Sequence, residues 1–344
     1  MKILIVKVSS MGDIIHNLPI VWDLRSKYPE AQIDWVVEDG YMHLLQPLKT
    51  SNRFRGIDNI ICLGLRRWKK NILKVDSWRE FLFFLKKFRV HKYDFVVDTQ
   101  GLIKTAILCF LSRKKINTKV LGLANSTEYS GYEGVSRFFY TESVKVPFRC
   151  HAVVRSRYLA NKILGFDDLS LFKLPEFFPR SFIDNIPVNH RNGFQKNYVL
   201  MIHSTARNSK RWPQKNWVAL GQKLSLEGYQ IVLPWGSDEE MKMSKIIASE
   251  ISNSFVPEHF SLQEAFSIIF NSRLVVGVDT GLTHLAASLN KKTIEIYCDS
   301  PRWKTEGFWS GEIKNIGDLN SPPSFEEVWD LCRRLLNINL SIKN

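Results

Sequence analysis

Leu274-Val275-Val276-Gly277-Val278-Asp279-Thr280-Gly281-Leu282-Thr283-His284 reads as a strand running directly into a helix. The apolar run Leu274–Val278 is short enough for a buried strand, and Leu282 to Leu289 reads as a helix. A Gly at such a turn lets backbone come close to a ligand. The helix start offers unpaired N–H groups to an anion. A second turn of this kind lies near the N-terminus, where Ile3-Leu4-Ile5-Val6 runs into Ser9-Ser10-Met11-Gly12-Asp13. Two polar strand-to-helix turns, one in each half of the chain, predict a cleft built from two sheets.

The pattern around these turns predicts an α/β fold. In the first half, strand-like runs fall at Lys2–Val8, Ile33–Val37, Asn59–Leu63, Asp94–Asp98 and Lys119–Gly122, with helix-like segments between them. The clearest helix runs from Trp78 to Val90, with Ser77 and Glu80 as a capping box and Trp78, Phe81, Leu82, Leu85 and Phe88 on one face. Pro19 predicts a kink in the first helix. From Leu174 to Gly193 the alternation lapses, and Pro175, Pro179, Pro187, Asn189, Asn192 and Gly193 predict a linker. Alternation then resumes, with strands at Tyr198–His203, Gln230–Pro234, Arg273–Val278 and Thr293–Tyr297. Capping boxes at Ser261/Glu264 and Ser324/Glu327 open two further helices. Such alternation reads as parallel sheets covered by helices, in two Rossmann-like domains.

The totals fit that reading. At 344 residues and 44% hydrophobic residues the chain can hold two cored domains and is not globally disordered. The formal net charge of +14 points to acidic partners. It is concentrated: Arg66 to Lys92 holds ten Lys/Arg against Asp76 and Glu80, a local net of +8. The segment is either a solvated helix face or a surface for a phosphorylated, membrane-borne acceptor. Nucleic acid is not expected, because no binding motif accompanies the charge. Five scattered cysteines without a C-x-x-C fit a reducing cytoplasm. No signal peptide is expected, and no apolar run approaches the ~20 residues of a membrane-spanning helix.

Several segments carry candidate chemistry. Neither a G-x-G-x-x-G nor a P-loop is present. Asp13 reads either as a first-turn carboxylate favoured by the helix dipole or as a general base at a sheet's carboxyl edge. Thr280, Gly281 and His284 together favour a phosphate cradle. His203 to Pro213, with Thr205, Lys210 and Arg211, has the hydroxyls and cations that suit a pyrophosphate; a solvated loop ahead of a helix is the alternative. Glu240, after the Gln230–Pro234 strand, is placed either for ribose hydroxyls or merely for a helix start. With no D-x-D triplet, no metal is predicted, and no cofactor.

Together these strings resemble the lipopolysaccharide heptosyltransferases, nearly end to end. The resemblance is carried by Val6 to His16, Asp34 to Glu38, Arg66-Arg67-Trp68, Asp98 to Ala106, His151-Ala152-Val153, Lys210-Arg211-Trp212-Pro213, Leu233 to Gly236 and Val278 to His284. The Gln100 to Lys104 and Arg66 to Trp68 strings resemble the type I enzymes rather than type II. The resemblance implies a GT-B fold: an acceptor-binding domain over residues 1–180, a nucleotide-sugar domain over 194–320, and a final helix, 321–344, returning to the first. It implies inverting, metal-independent transfer of L-glycero-D-manno-heptose from ADP-heptose to the first Kdo of Kdo2-lipid A. The enzyme would be a cytoplasmic monomer, peripheral on the inner membrane.

By match to the family, Asp13 is the base and Lys210 a catalytic cation. Thr205, Glu240, Asp279, Thr280, Gly281 and His284 meet the donor. Ser10, Gly12, Arg66, Arg67, Lys69, Lys70 and Gln100 meet the acceptor. Ala206 replaces a frequent Thr, Tyr132-Glu133-Gly134 replaces a frequent Arg-Glu-Pro, and Phe260 replaces a frequent Met. The rival readings are a type II enzyme with a heptosylated acceptor, a non-catalytic sugar-nucleotide or polyanion binder, and a sugar-nucleotide epimerase. Asp13 argues against the binder, and the basic segment against the epimerase.

Overall fold

The computed structural model describes residues 1–50, 55–71, 73–112, 117–165, 176–186 and 193–338. The chain divides into two compact units, Met1–Pro179 and Arg180–Asn344. Of the expected linker, 174–193, residues 174–175 and 187–192 lie outside the described residues; 176–186 includes one helical turn, Arg180–Ile183.

The first unit contains β1 (Lys2–Val6), α1 (Met11–Asn17), α2 (Pro19–Lys27), β2 (Gln32–Glu38), α3 (Met42–Leu45), β3 (Asn59–Leu63), α4 (Leu65–Lys70), α5 (Val75–Phe88), β4 (Phe95–Asp98), α6 (Ile103–Ser112), β5 (Lys119–Leu123), β6 (Glu142–Val144) and α7 (Ala152–Leu164). The second contains α8 (Arg180–Ile183), β7 (Tyr198–Ile202), α9 (Gln214–Leu226), β8 (Gln230–Val232), α10 (Asp238–Ser249), β9 (Ser254–Phe255), α11 (Leu262–Asn271), β10 (Leu274–Val278), α12 (Gly281–Ser288), β11 (Thr293–Tyr297), β12 (Ile313–Gly317) and α13 (Phe325–Leu336).

Each unit has one six-stranded sheet, in the orders β3-β2-β1-β4-β5-β6 and β12-β11-β10-β7-β8-β9. Counted from the first strand of its own unit, the second order is the first one reversed. All the strand pairs within both are parallel. Both orders reverse direction between the unit's first and fourth strands. That crevice, at the carboxyl ends of the strands, is where open α/β sheets bind ligands. It lies between β1 and β4 in the first unit and between β7 and β10 in the second.

At the switch points β7 and β10 are buried throughout, and β1 and β4 are buried after their first residue, as helices on both faces require. All nine expected strands are present. The three that were not expected, β6, β9 and β12, are edge strands. With a neighbour on one side only they are largely half-buried and carry no apolar run, and β6 and β9 are also short, as Glu142-Ser143-Val144 shows. Pro19 breaks the first helix as expected: α1 ends at Asn17 and α2 begins on Pro19, where the missing N–H costs nothing.

One expectation needs correction. The helix expected from Trp78 begins at Val75, with Lys74 at the N-cap position, so Ser77 and Glu80 form no capping box. Glu80 accepts instead from Trp68 Nε1 at 2.8 Å and from Arg67. The inward stripe of α5 is Phe84 and Phe88, with Phe81 and Leu85 beside them, while Trp78 and Leu82 are exposed. In the last helix, Val328, Cys332 and Leu335 of α13 are buried in the core of the second unit with β10 and β11 residues, and Trp212 Nε1 donates to Pro323 O just ahead of it. Residues 339–344 lie outside the described residues.

Candidate active site

In the first unit Ser10, Gly12, Asp13 and Gln100 lie at the switch point, whereas Arg66, Arg67, Lys69 and Lys70 lie on α4 after the edge strand β3. The loop after β1 carries Ser10, the first turn of α1 carries Gly12 and Asp13, and the loop after β4 carries Gln100. Asp13 is the third residue of α1. Its Oδ2 accepts from Ser10 Oγ at 2.7 Å and Ser10 N at 3.2 Å. It therefore does cap its helix, the plainer of the two roles weighed for it. Its Oδ1 lies 3.8 Å from Lys7 Nζ, and its side chain is 42% exposed. Partial withdrawal from water raises the carboxyl pKa, but Lys7, Ser10 and the buried Arg155 outweigh that and hold it well below the usual carboxylate range. Asp13 is thus an ionised carboxylate with one oxygen open beside a lysine.

Gln100 braces this loop. Its Oε1 accepts from Val8 N at 3.0 Å and Ser9 N at 3.4 Å, and its Nε2 donates to Ser9 Oγ. Buried Asp98 in turn accepts from Gln100 N, Gly101 N and Tyr140 OH. Gln100 therefore holds the shape of the Asp13 turn through its own side chain. The four cations of α4 divide into two kinds. Arg67 pairs with Asp39 at 2.5 Å and Glu80 at 2.9 Å. Arg66 lies over the Tyr41 ring and donates to its hydroxyl, and its backbone N–H donates to Glu38. Lys69 and Lys70 are exposed.

In the second unit the candidates again come from loops after the two switch-point strands. Thr205 and Lys210 follow β7, and Asp279 to His284 follow β10. Lys210 Nζ lies 2.5 Å from Asp279 Oδ2, which also accepts from Ser300 Oγ at 2.7 Å. Asp279 Oδ1 lies 2.9 Å from His284 Nε2, and Thr205 Oγ1 donates to Asp279 O at 3.1 Å. The other ring nitrogen of His284, Nδ1, is 2.9 Å from Oε1 of Glu295 on β11. Glu295 is fully buried and accepts also from Gly307 N and Tyr297 OH.

Burial alone would lower the His284 pKa. Glu295 and Asp279 reverse that and raise it to about 10, so the ring is an imidazolium at neutral pH. Asp279 is likewise pushed up by burial, yet His284 and Lys210 hold it well below its ordinary value. His203 behaves oppositely: burial and the nearby Arg211 lower it to about 4, leaving a neutral ring between Ser204 and Ser244 hydroxyls.

Thr280 is the N-cap of α12, and its hydroxyl makes no cap hydrogen bond. Gly281 opens the helix with no positive φ. What Gly supplies here is the lack of a side chain over the first-turn N–H groups. The arrangement therefore offers an uncapped helix start, a lysine and an imidazolium, all suited to an anion. Glu240, by contrast, folds its carboxylate back onto Gly236 N at 2.7 Å within the turn that opens α10. Among the described residues no group of three or more His, Cys, Asp or Glu side chains is arranged to hold a metal ion.

The family model of glycosyltransferase family 9 (heptosyltransferase) matches residues 82–330. The chain belongs to this family. It is a glycosyltransferase of the heptosyltransferase kind. Lipopolysaccharide heptosyltransferase 1 of Salmonella typhimurium is 31% identical over 339 residues, covering 95% of this chain and 100% of the relative. The Pseudomonas aeruginosa protein of the same name is 32% identical over 331 residues, covering 95% and 87%. The crystallised E. coli heptosyltransferase WaaC with ADP superimposes with a TM-score of 0.81 at 27% identity, covering 97% of this chain and all of that one. The two parallel six-stranded sheets are thus those of a GT-B glycosyltransferase.

The Tyr132-Glu133-Gly134 segment packs on the loop after β4: Glu133 accepts from Ile103 N at 2.5 Å and donates its own N–H to Gly101 O. Glu133 thereby caps α6. Four residues of the two clusters escaped sequence reasoning: Lys7, Arg155, Glu295 and Ser300. Lys7 lies inside the Val6 to His16 string, directly after β1. The other three lie far from the turns they serve, and no local pattern marks them.

Proposed function

We propose that this heptosyltransferase moves L-glycero-D-manno-heptose from ADP-heptose to the first Kdo of Kdo2-lipid A, with inversion. The observation that carries the reading is the charged cluster around Asp279, set beside the uncapped start of α12. Lys210, His284, Thr205 and the Thr280-Gly281 turn grip the diphosphate of the donor. Negative charge grows on the departing ADP, and fixed cations and N–H groups stabilise it as it grows. Glu240 exchanges its hydrogen bond to Gly236 for the ribose hydroxyls.

Asp13 takes the proton of the acceptor hydroxyl as that oxygen attacks the anomeric carbon and the bond to ADP breaks. An ionised carboxylate is competent for this over the whole neutral range, though its low pKa makes it a weak base until its partners shift. Ser10, Gly12 and Gln100 shape the acceptor side of that turn. Lys69 and Lys70, with Arg66 and Arg67, face the anionic groups of the acceptor. The enzyme acts as a monomer in the cytoplasm, peripheral on the inner membrane.

The test is direct. The protein is incubated with ADP-heptose and either Kdo2-lipid A or heptosylated Kdo2-lipid A, and ADP release and product mass are followed. One added heptose on Kdo2-lipid A alone is the expected result. Transfer only to the heptosylated acceptor would move the enzyme to type II, and no ADP release with either acceptor would overturn the reading.

A further inference from the structure

Two neighbouring helices of the first unit turn apolar side chains outward. Phe84 and Phe88 of α5 share one buried core with Leu108 and Cys109 of α6, so both helices cover the same face of the sheet. Opposite that buried stripe, α5 exposes Val75, Trp78, Leu82 (63%) and Phe83 (59%). On α6, Ile103, Ile107 and Phe110 recur at i, i+4 and i+7, one stripe of the helix, and all three are exposed. α6 packs against the 3-10 turn Gly134–Phe139, where Phe110 and Phe139 rings meet at 6.2 Å. From that turn Val135 and Phe138 (88%) also project.

Cations frame these stripes. Arg79 and Lys86 lie on the outward side of α5, and Lys87 Nζ sits 4.6 Å from the Phe83 ring centroid. Lys74 and Arg89 lie at its ends. Of the two carboxylates of the helix, Asp76 pairs with Arg79 at 3.7 Å and Glu80 is held by Arg67 and Trp68, so neither reaches Lys86 or Lys87. Exposed aromatic and aliphatic side chains mixed with uncompensated cations are the composition of a helix that lies in a bilayer interface. A protein core would leave the cations unpaired, and a polyanion alone would leave the apolar groups in water.

We propose that the outer face of α5, α6 and the Gly134–Phe139 turn docks on an anionic lipid bilayer. Trp78, Leu82, Phe83, Ile107 and Phe138 enter the headgroup–acyl boundary. Arg79, Lys86 and Lys87 meet lipid phosphates, their stems lying along the apolar side chains. The proposal takes its purpose from the lipid acceptor assigned above, but the contact itself needs no acceptor.

The test uses vesicles without any acceptor: phosphatidylglycerol with phosphatidylethanolamine, against pure phosphatidylcholine. The full chain should co-sediment with the anionic vesicles, more weakly as salt rises, and only slightly with the neutral ones. A Leu82→Ser, Phe83→Ser, Ile107→Ser, Phe138→Ser variant should bind at least tenfold more weakly with its salt dependence retained. An Arg79→Gln, Lys86→Gln variant should bind more weakly and lose part of that dependence. Brominated phosphatidylglycerol should quench the tryptophan emission of the unaltered chain, and Trp78→Phe should remove most of the quenching, which keeps the test sharp if the fourfold variant folds poorly. ADP release with acceptor dispersed in detergent should be unchanged in the variants. Anionic-vesicle binding unaffected by the apolar replacements overturns the proposal. So does a chain that dimerises in solution and becomes monomeric in the fourfold variant, because the face is then an interface between copies. Failure of the heptosyl reading would show separately, as vesicle binding without ADP release.

Discussion

Glu295 Oε1 lies 2.9 Å from His284 Nδ1, and both side chains are almost wholly withdrawn from solvent. Glu295 faces Gly277 in the parallel register of β11 on β10. Its carboxylate is what makes His284 a fixed cation at the start of α12, with Asp279 holding the other ring nitrogen.

Glu295→Gln should therefore lower the His284 pKa and weaken the unit. Breaking a buried pair by neutralising one partner costs about 3–5 kcal/mol. The pH dependence gives a specific signature. His284 is raised from 6.5 to about 10 in the folded chain, so its contribution to stability is complete below pH 6.5 and is lost as pH rises through about 10. Asp279 is lowered from 3.8, so its contribution is complete above 3.8 and is lost on acidification below that value. Thermal melts of the parent chain should thus decline between pH 6.5 and 10, and Glu295→Gln should flatten that alkaline limb. Parallel limbs in the two proteins would show that Glu295 does not set the charge of His284.

Lys210→Ala should weaken ADP binding by about 1.5–3 kcal/mol, the value of a hydrogen bond to a charged group. Lys210 reaches Asp279 at 2.5 Å, so the replacement also leaves that carboxylate with one cation fewer. Lys210→Arg should restore binding in part, because a planar fork does not reproduce a compact ammonium. Calorimetry with ADP reads the difference, and unchanged affinity together with unchanged turnover in the Ala variant would remove Lys210 from the site.

Asp13→Ala should lower turnover by about 10²–10⁴ with donor affinity nearly intact. Because Asp13 also caps α1 through Ser10, some stability is lost too, about 0.5–2 kcal/mol by analogy with other caps. Asp13→Asn separates the two roles, since an amide oxygen still accepts from Ser10 but takes no proton. Turnover within threefold of the parent in Asp13→Asn would leave Asp13 as a cap only.

The four cations of α4 should respond differently to replacement. Lys69→Glu with Lys70→Glu is expected to raise the acceptor KM steeply and leave ADP-heptose affinity unchanged. Arg67→Ala should lower the melting temperature, because Asp39 and Glu80 lose their shared partner. Steady-state kinetics against each substrate, with a melt for each variant, checks both. Equal losses for donor and acceptor in the double Lys variant would refute the division of labour.

How much of this was legible in the chain follows burial and distance along it. A strand buried on both faces needs an unbroken apolar run, so Ile3 to Val6 and Leu274 to Val278 announced themselves, and with them the two switch-point turns. Asp13, Thr205, Lys210 and the Asp279–His284 turn were readable because each lies within a few residues of such a strand. The edge strands β6, β9 and β12 were not readable, since half-buried strands need no such run. Ser77 and Glu80 had cap spacing, but the helix starts at Val75, and tertiary partners, Arg67 and Trp68, took the carboxylate.

Local periodicity and turn chemistry are enough to specify two parallel α/β units and the turns that reach their carboxyl edges. The charge states come from the folded arrangement. Glu295 reaches His284 through strand register, Ser300 reaches Asp279 from 21 residues away, and Arg155 of α7 acts on Asp13 from another helix. An ionisable group's state depends on what lies within a few ångströms in space, and chain order does not carry that information.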